Sequence, residues 1–294
     1  MLFLNTSFNS TTATHVEDAL AGAIIMALSS AGLLFYLPVL YTILCGCNAG
    51  RRSFSNPFYQ LVLSLGASDV LMLLTFVLYS VPCVLSQSHV FGSRFDVAMG
   101  ALCNLTFFSS CPTIAVIALN RYLAICHPAT ASGSAFVRAS GVKWTISCIW
   151  GFAFAVCAFQ DDSSGYDYFV WFERLVVFAV CSSIVLCYTL TALHVHQRNN
   201  EMSRVGGLPH IQLSRREKQE RRLFLQFSLI GLVVLAHSST FTFLPEVTSE
   251  KWHLFLISVT YLANLSVNPY VYVLPSSTVQ REIRRMFRRR EGTF

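Results

Sequence analysis

The stretch ALNRYLAICHP, residues 118–128, sets an asparagine and an arginine directly behind apolar sequence. A cation held in hydrocarbon costs about 3 kcal/mol or more unless it finds a partner or reaches water. The stretch therefore marks either the end of a membrane span or a span wrongly drawn. Composition supports the first: 54% of the 294 residues are hydrophobic and 12% are charged, about half the charged share of an ordinary soluble domain.

A transmembrane helix needs about 20 mainly apolar residues. Such helices are expected at about 19–45, 57–85, 97–122, 142–160, 168–195, 220–245 and 252–275. The first carries no Asp, Glu, Lys or Arg, the second only Asp69, and the fourth is the shortest, with Lys143 near its start. Membrane strands are excluded, because barrels alternate apolar and polar residues over about 10 positions and these runs are continuous. The opening residues 1–18, MLFLNTSFNSTTATHVED, lack the basic start and apolar core of a signal peptide. They read as an extracellular N-terminus, with the first helix as insertion signal.

Lys and Arg in the short loops set the orientation. With the N-terminus outside, 18 of them fall on the cytoplasmic side, and Arg94, Arg174 and Lys251 fall outside. The net charge of +6 is then a cytoplasmic excess available to anionic lipid or an acidic partner, and no nucleic acid is implied. Asn5 (NTS) and Asn9 (NST) become glycan acceptors, whereas the matches at Asn104 and Asn264 lie inside helices. The expected architecture is an all-α membrane protein. It is a seven-transmembrane helix bundle over 19–275, followed at 276–294 by a short amphipathic eighth helix and tail along the inner membrane surface. There Val279, Ile283, Met286 and Phe287 form one apolar stripe among arginines.

Polar residues inside such a bundle are functional candidates by default. Asp69 sits mid-helix in LSLGASDVL, and Asn264 and Asn268 share a helix face in LANLSVNPYVY, next to Pro269. Ser110 lies about three turns before Arg121 on the third helix. A carboxylate, a hydroxyl and two amides at similar depth could enclose a small cation and waters. Most of the ten cysteines fall within helices and read as small apolar residues. Cys83, Cys103 and Cys157 lie near the outer side, and Cys45 and Cys47 at the inner end of helix one.

In order along the chain, LSLGASD resembles the L-x-x-x-D motif of helix two of rhodopsin-like G-protein-coupled receptors, NRY the D/E-R-Y that ends helix three, and NPYVY the N-P-x-x-Y of helix seven. Within that family the chain looks most like the nematode serpentine chemoreceptors, the class V group. The resemblance implies a heterotrimeric G protein as partner. It also implies an activation switch built from Asn120, Arg121, Tyr122, Tyr188, Asn268, Pro269 and Tyr272, and a sodium pocket at Asp69, Ser110, Asn264 and Asn268. Trp150 becomes the tryptophan of helix four. Several departures stand out: Asn120 replaces an acid, helix six reads VVLAHSSTF where C-W-x-P is usual, and helix five lacks its proline. Helix one lacks its asparagine, and the cysteine pair tying helix three to the second outer loop is missing. Glu217 or Glu220 is expected to supply the anion that Asn120 withholds.

The family's pocket face selects Cys103, Asn104, Phe107 and Phe108 on helix three, His237, Thr240 and Phe241 on helix six, and Tyr261 on helix seven; each aromatic also serves as bundle packing. No acid stands where amine receptors keep one on helix three, so a small neutral or weakly polar ligand is expected. Glu173 and Arg174 read as a local pair or as solvated. No nucleotide loop, zinc motif or nucleophile elbow appears, so catalysis is not expected. The competing functions are an ion or small-solute transporter or channel using Asp69, and a non-signalling partner receptor.

Overall fold

The computed structural model describes residues 12–49, 57–86, 90–127, 138–158, 166–205, 250–273 and 279–284, together with Ser88, Leu232, Val233, Ala236 and Thr240. No strand occurs among the described residues. Helix one is Thr12–Asn48, helix two Pro57–Ser86, helix three Ser93–Cys126, helix four Ala139–Ala158, helix five Tyr166–Val205 and helix seven Glu250–Val273. The four described residues of the sixth apolar window are helical, as is 279–284. The first five helices are each long and apolar enough to cross a membrane, and the described residues form a helical, multi-pass membrane bundle.

Most helices outrun their apolar windows. Helix three starts at Ser93 rather than 97, and helix five runs on to Val205, because backbone hydrogen bonds continue for as long as water or neighbours satisfy the side chains. Helix four shifts toward its start. Val142, its expected first residue, lies one turn inside, where it is fully buried and donates its N–H to the Arg138 carbonyl (2.9 Å).

Helix two contains the main irregularity. Phe76–Ser80 form a π-helical turn, closed by the Val81 N–H donating to the Phe76 carbonyl five residues back. Pro82 follows at once. Its ring cannot sit against the carbonyl four residues earlier in a regular helix, and a widened turn relieves that clash while keeping the backbone bonded.

The bundle packs through two apolar clusters. One, at the Arg121 end, joins Ile43, Phe58, Leu61, Ile117, Val142, Ile184 and Val279, with Ile283 against it; Val279 and Ile283 of the expected stripe thus pack on the bundle, while Met286 and Phe287 lie outside the described residues. The other joins Ile25, Tyr36, Leu73, Phe76, Val81, Tyr261 and Leu262. Helices one and two approach closely at Gly66, where an added Cβ would lie 2.4 Å from Leu40 Cδ2. Small residues serve this purpose in membrane bundles, where apolar burial drives no association of its own. Many hydroxyls are spent within their own helices: Ser29 donates to the Ile25 carbonyl, Thr42 to Pro38, Thr75 to Leu71 and Thr113 to Ser109. The polar contacts that cross between helices are therefore the informative ones.

Candidate functional site

Between the two clusters lies a polar layer centred on Asp69, which is 1% exposed. Its Oδ2 accepts from Tyr36 Oη on helix one and from Asn268 Nδ2 on helix seven, the latter at 2.9 Å. One carboxylate thus joins three helices. Asp69 Oδ1 and Asn268 Oδ1 are buried acceptors with no hydrogen-bond partner among the described residues. A cavity of about 20 Å³ opens against them, larger than the roughly 10–15 Å³ that one water requires. Asp69, Ser110, Asn264 and Asn268 all line it, with Phe107, Cys111 and Ile114 of helix three, Val177, Val180 and Cys181 of helix five, and Tyr261 and Leu265 of helix seven. The four polar residues selected by spacing and motif are therefore brought together. Ser110 also donates to the Phe107 carbonyl (3.3 Å).

The residues of the expected ligand face divide. Phe107 lines the cavity and meets the Tyr261 ring at 6.3 Å, and Cys103 packs against the cluster around Tyr261. Phe108, fully buried, turns instead to helices four and five, against Phe152, Phe169 and Phe172. Asn104 is half-buried. Thr240 spends its hydroxyl on the Ala236 carbonyl (2.6 Å). His237 and Phe241 lie outside the described residues, as do Glu217, Glu220, Asn5, Asn9 and the side chain of Tyr272. Arg174 sits 5.5 Å over the ring of Trp171 on its own helix.

At the opposite end, Asn120 is buried and Arg121 half-buried. The Arg121 guanidinium does not simply reach out toward water: its Cζ lies 3.5 Å from the centroid of the Phe58 ring. Tyr122 Oη lies 3.2 Å from His127 Nε2. Tyr188 packs against the Phe58 and Ile117 cluster, and Pro269 lies within the unbroken helix seven, next to Asn268. Trp150 Nε1 donates to Ser64 Oγ (3.0 Å), tying helix four to helix two.

Sequence reasoning missed two contacts. The first is Tyr36, whose hydroxyl meets Asp69 from the helix that lacks the family's asparagine. The second lies at the far end of helix three, where Tyr79 Oη donates to Asp96 Oδ1 (2.9 Å) and the rings of Phe91 and Phe95 pack against Tyr79. Asp96 also suits the positive start of its helix. All ten cysteines are free thiols, and Cys157 Sγ donates to the Ala101 carbonyl. Tyr79 and Asp96 thus tie the start of helix three to helix two. Tyr79→Phe should cost about 1 kcal/mol and lower the melting temperature of purified protein by a few degrees; an unchanged melting curve would deny the tether any weight.

Residues 25–289 match the family model of the serpentine type seven-transmembrane G-protein-coupled chemoreceptor Srv. The chain belongs to that family. Srv membership makes it a receptor of the G-protein-coupled class, with relatives well outside the chemoreceptors. It is 26% identical to rat cannabinoid receptor 2 over 296 residues, covering 90% of this chain and 78% of that one. It is 24% identical to rat somatostatin receptor type 5 over 307 residues, covering 87% and 78%. Its fold is similar to the crystal structure of squid rhodopsin, with a TM-score of 0.73 at 16% identity, over 98% of this chain and 92% of the rhodopsin chain. The Srv bundle departs from the rhodopsin-like motifs at Asn120 and in the missing asparagine of helix one, and there Arg121 meets Phe58 and Tyr36 meets Asp69.

Proposed function

We propose that this receptor sits in the plasma membrane with its N-terminus outside, binds a small neutral or weakly polar molecule between its helices, and activates a heterotrimeric G protein. The observation that carries the reading is the match of residues 25–289 to the Srv receptor family; ligand sites in helical bundles are largely apolar with a few placed polar groups, and Phe107, Tyr261, Ser110 and Asn264 supply both kinds around the water-sized cavity at Asp69, which a ligand would widen. The ligand would bind one arrangement of the bundle more tightly, and helix six would swing outward to open a groove beside Arg121. A sodium ion fits the same layer. The two buried amide and carboxylate oxygens without partners are the hard donors such a cation takes, and Ser110 and Asn264 would complete its shell.

Expression with tags at both ends, a library of small neutral compounds and a calcium or cyclic-nucleotide readout tests the proposal. Expected are an N-terminal tag reachable on intact cells, a C-terminal tag that is not, and a response from at least one compound. Compound flux that depends on Asp69 without any G-protein response would overturn it in favour of a transporter.

A further inference from the structure

We propose that the aromatic face of Phe58 holds the Arg121 guanidinium in the resting receptor, in the place of the acid that Asn120 lacks. The contact is close: 3.5 Å from Cζ to the ring centroid, well inside the roughly 6 Å over which a cation is drawn to a ring face. Its setting strengthens it. Phe58 is 7% exposed and belongs to the cluster of Leu61, Ile117 and Ile184, so little water screens the cation from the ring's negative face. The ring itself is fixed. Pro57, the first residue of helix two, has a backbone already set for helix entry, and Tyr59 meets Phe58 edge-on with centroids 5.5 Å apart. Asn120, buried beside Arg121, is neutral. The latch opens when helices two and three separate at this end.

Phe58 acts through Arg121 and is a positioning residue; its effect on signalling rests on Arg121 being the G-protein switch. The latch itself is read without any G protein, on the purified full-length receptor in nanodiscs, as the rate at which phenylglyoxal modifies Arg121, located by peptide mass spectrometry. Phe58→Leu should raise that rate by up to about 30-fold, the equivalent of the ~2 kcal/mol of a desolvated cation–π contact. Phe58→Tyr and Phe58→Trp should leave it near wild type. Phenylalanine analogues with one, two and three ring fluorines, which progressively weaken the negative face without changing the packing, should raise it in that order. A rate moved by leucine but not by fluorination would overturn the proposal and leave a packing role. So would a rate moved only by removing Glu217 and Glu220 together. G-protein nucleotide exchange without ligand, measured on the same variants, separates the two levels. Exchange that follows the fluorine order supports both; modification that follows it while exchange stays flat supports the latch and removes Arg121 as the switch.

Discussion

Asp69→Ala should lower the melting temperature of the purified receptor by about 10 °C. The estimate rests on what one carboxylate does: it accepts from helix one through Tyr36 and from helix seven through Asn268 while itself standing on helix two. Hydrogen bonds to a charged group contribute about 1.5–3 kcal/mol each, so losing both costs about 3–6 kcal/mol, and each kcal/mol is worth about 2–4 °C in a chain of this size class. Neutral bonds between membrane helices average only about 0.6 kcal/mol. Tyr36→Phe, which removes one of the two bonds to the carboxylate, should cost about half as much as Asp69→Ala, roughly 5 °C, and Asp69→Asn, which keeps the shape and leaves neutral bonds, should fall between. Thermal unfolding followed by a thiol-reactive dye at a buried cysteine such as Cys181 reads all three. A drop below about 2 °C for Asp69→Ala would mean that the layer is not a structural junction.

Arg121→Ala should cut ligand-driven G-protein activation more than tenfold while leaving receptor at the cell surface within about twofold of wild type. The separation follows from where the side chain sits. Arg121 is half-buried at the end of helix three with its guanidinium against the Phe58 ring, a contact worth about 1–2 kcal/mol, a loss that surface expression tolerates. Truncating one charge at an interface, by contrast, costs about 2–5 kcal/mol when its partner is left desolvated, enough for the tenfold loss. Arg121→Lys keeps the charge but not the planar fork or its stacking, and should recover only part of the response. Surface staining together with a cyclic-nucleotide assay decides; full signalling from the alanine variant would reduce Arg121 to a membrane-side anchor.

The bundle was legible because its signal is long and continuous: five of the expected helices recur as membrane-length apolar helices, and no local contact is needed to see them. The polar layer was legible for a different reason. A carboxylate or amide in a helix that must lie in lipid has few innocent explanations, so Asp69, Ser110, Asn264 and Asn268 stood out before their cavity was known. Tyr36 did not, because a tyrosine in an apolar helix is ordinary packing until its hydroxyl is seen to have a partner. Phe58 was hidden by the same ambiguity. Tyr79 and Asp96 were unreadable together: a period of 3.6 residues carries no hint that the turn at Phe76–Ser80 widens, and their meeting depends on that change of phase. The proposals on Glu217, Glu220, His237 and Phe241 fall in a part of the chain outside the described residues.

That widened turn has a consequence for transferring knowledge between receptors. One residue corresponds to about 100° of rotation around a helix axis, so inserting a single position between Thr75 and Val81 turns everything beyond it on helix two by more than a quarter circle. A receptor without the insertion, matched to this one position by position, will pair residues correctly up to Thr75 and then set lipid-facing neighbours against bundle-facing ones. Placing a one-residue gap inside FVLYS restores the correspondence and puts Tyr79 back on the face it shares with Asp96.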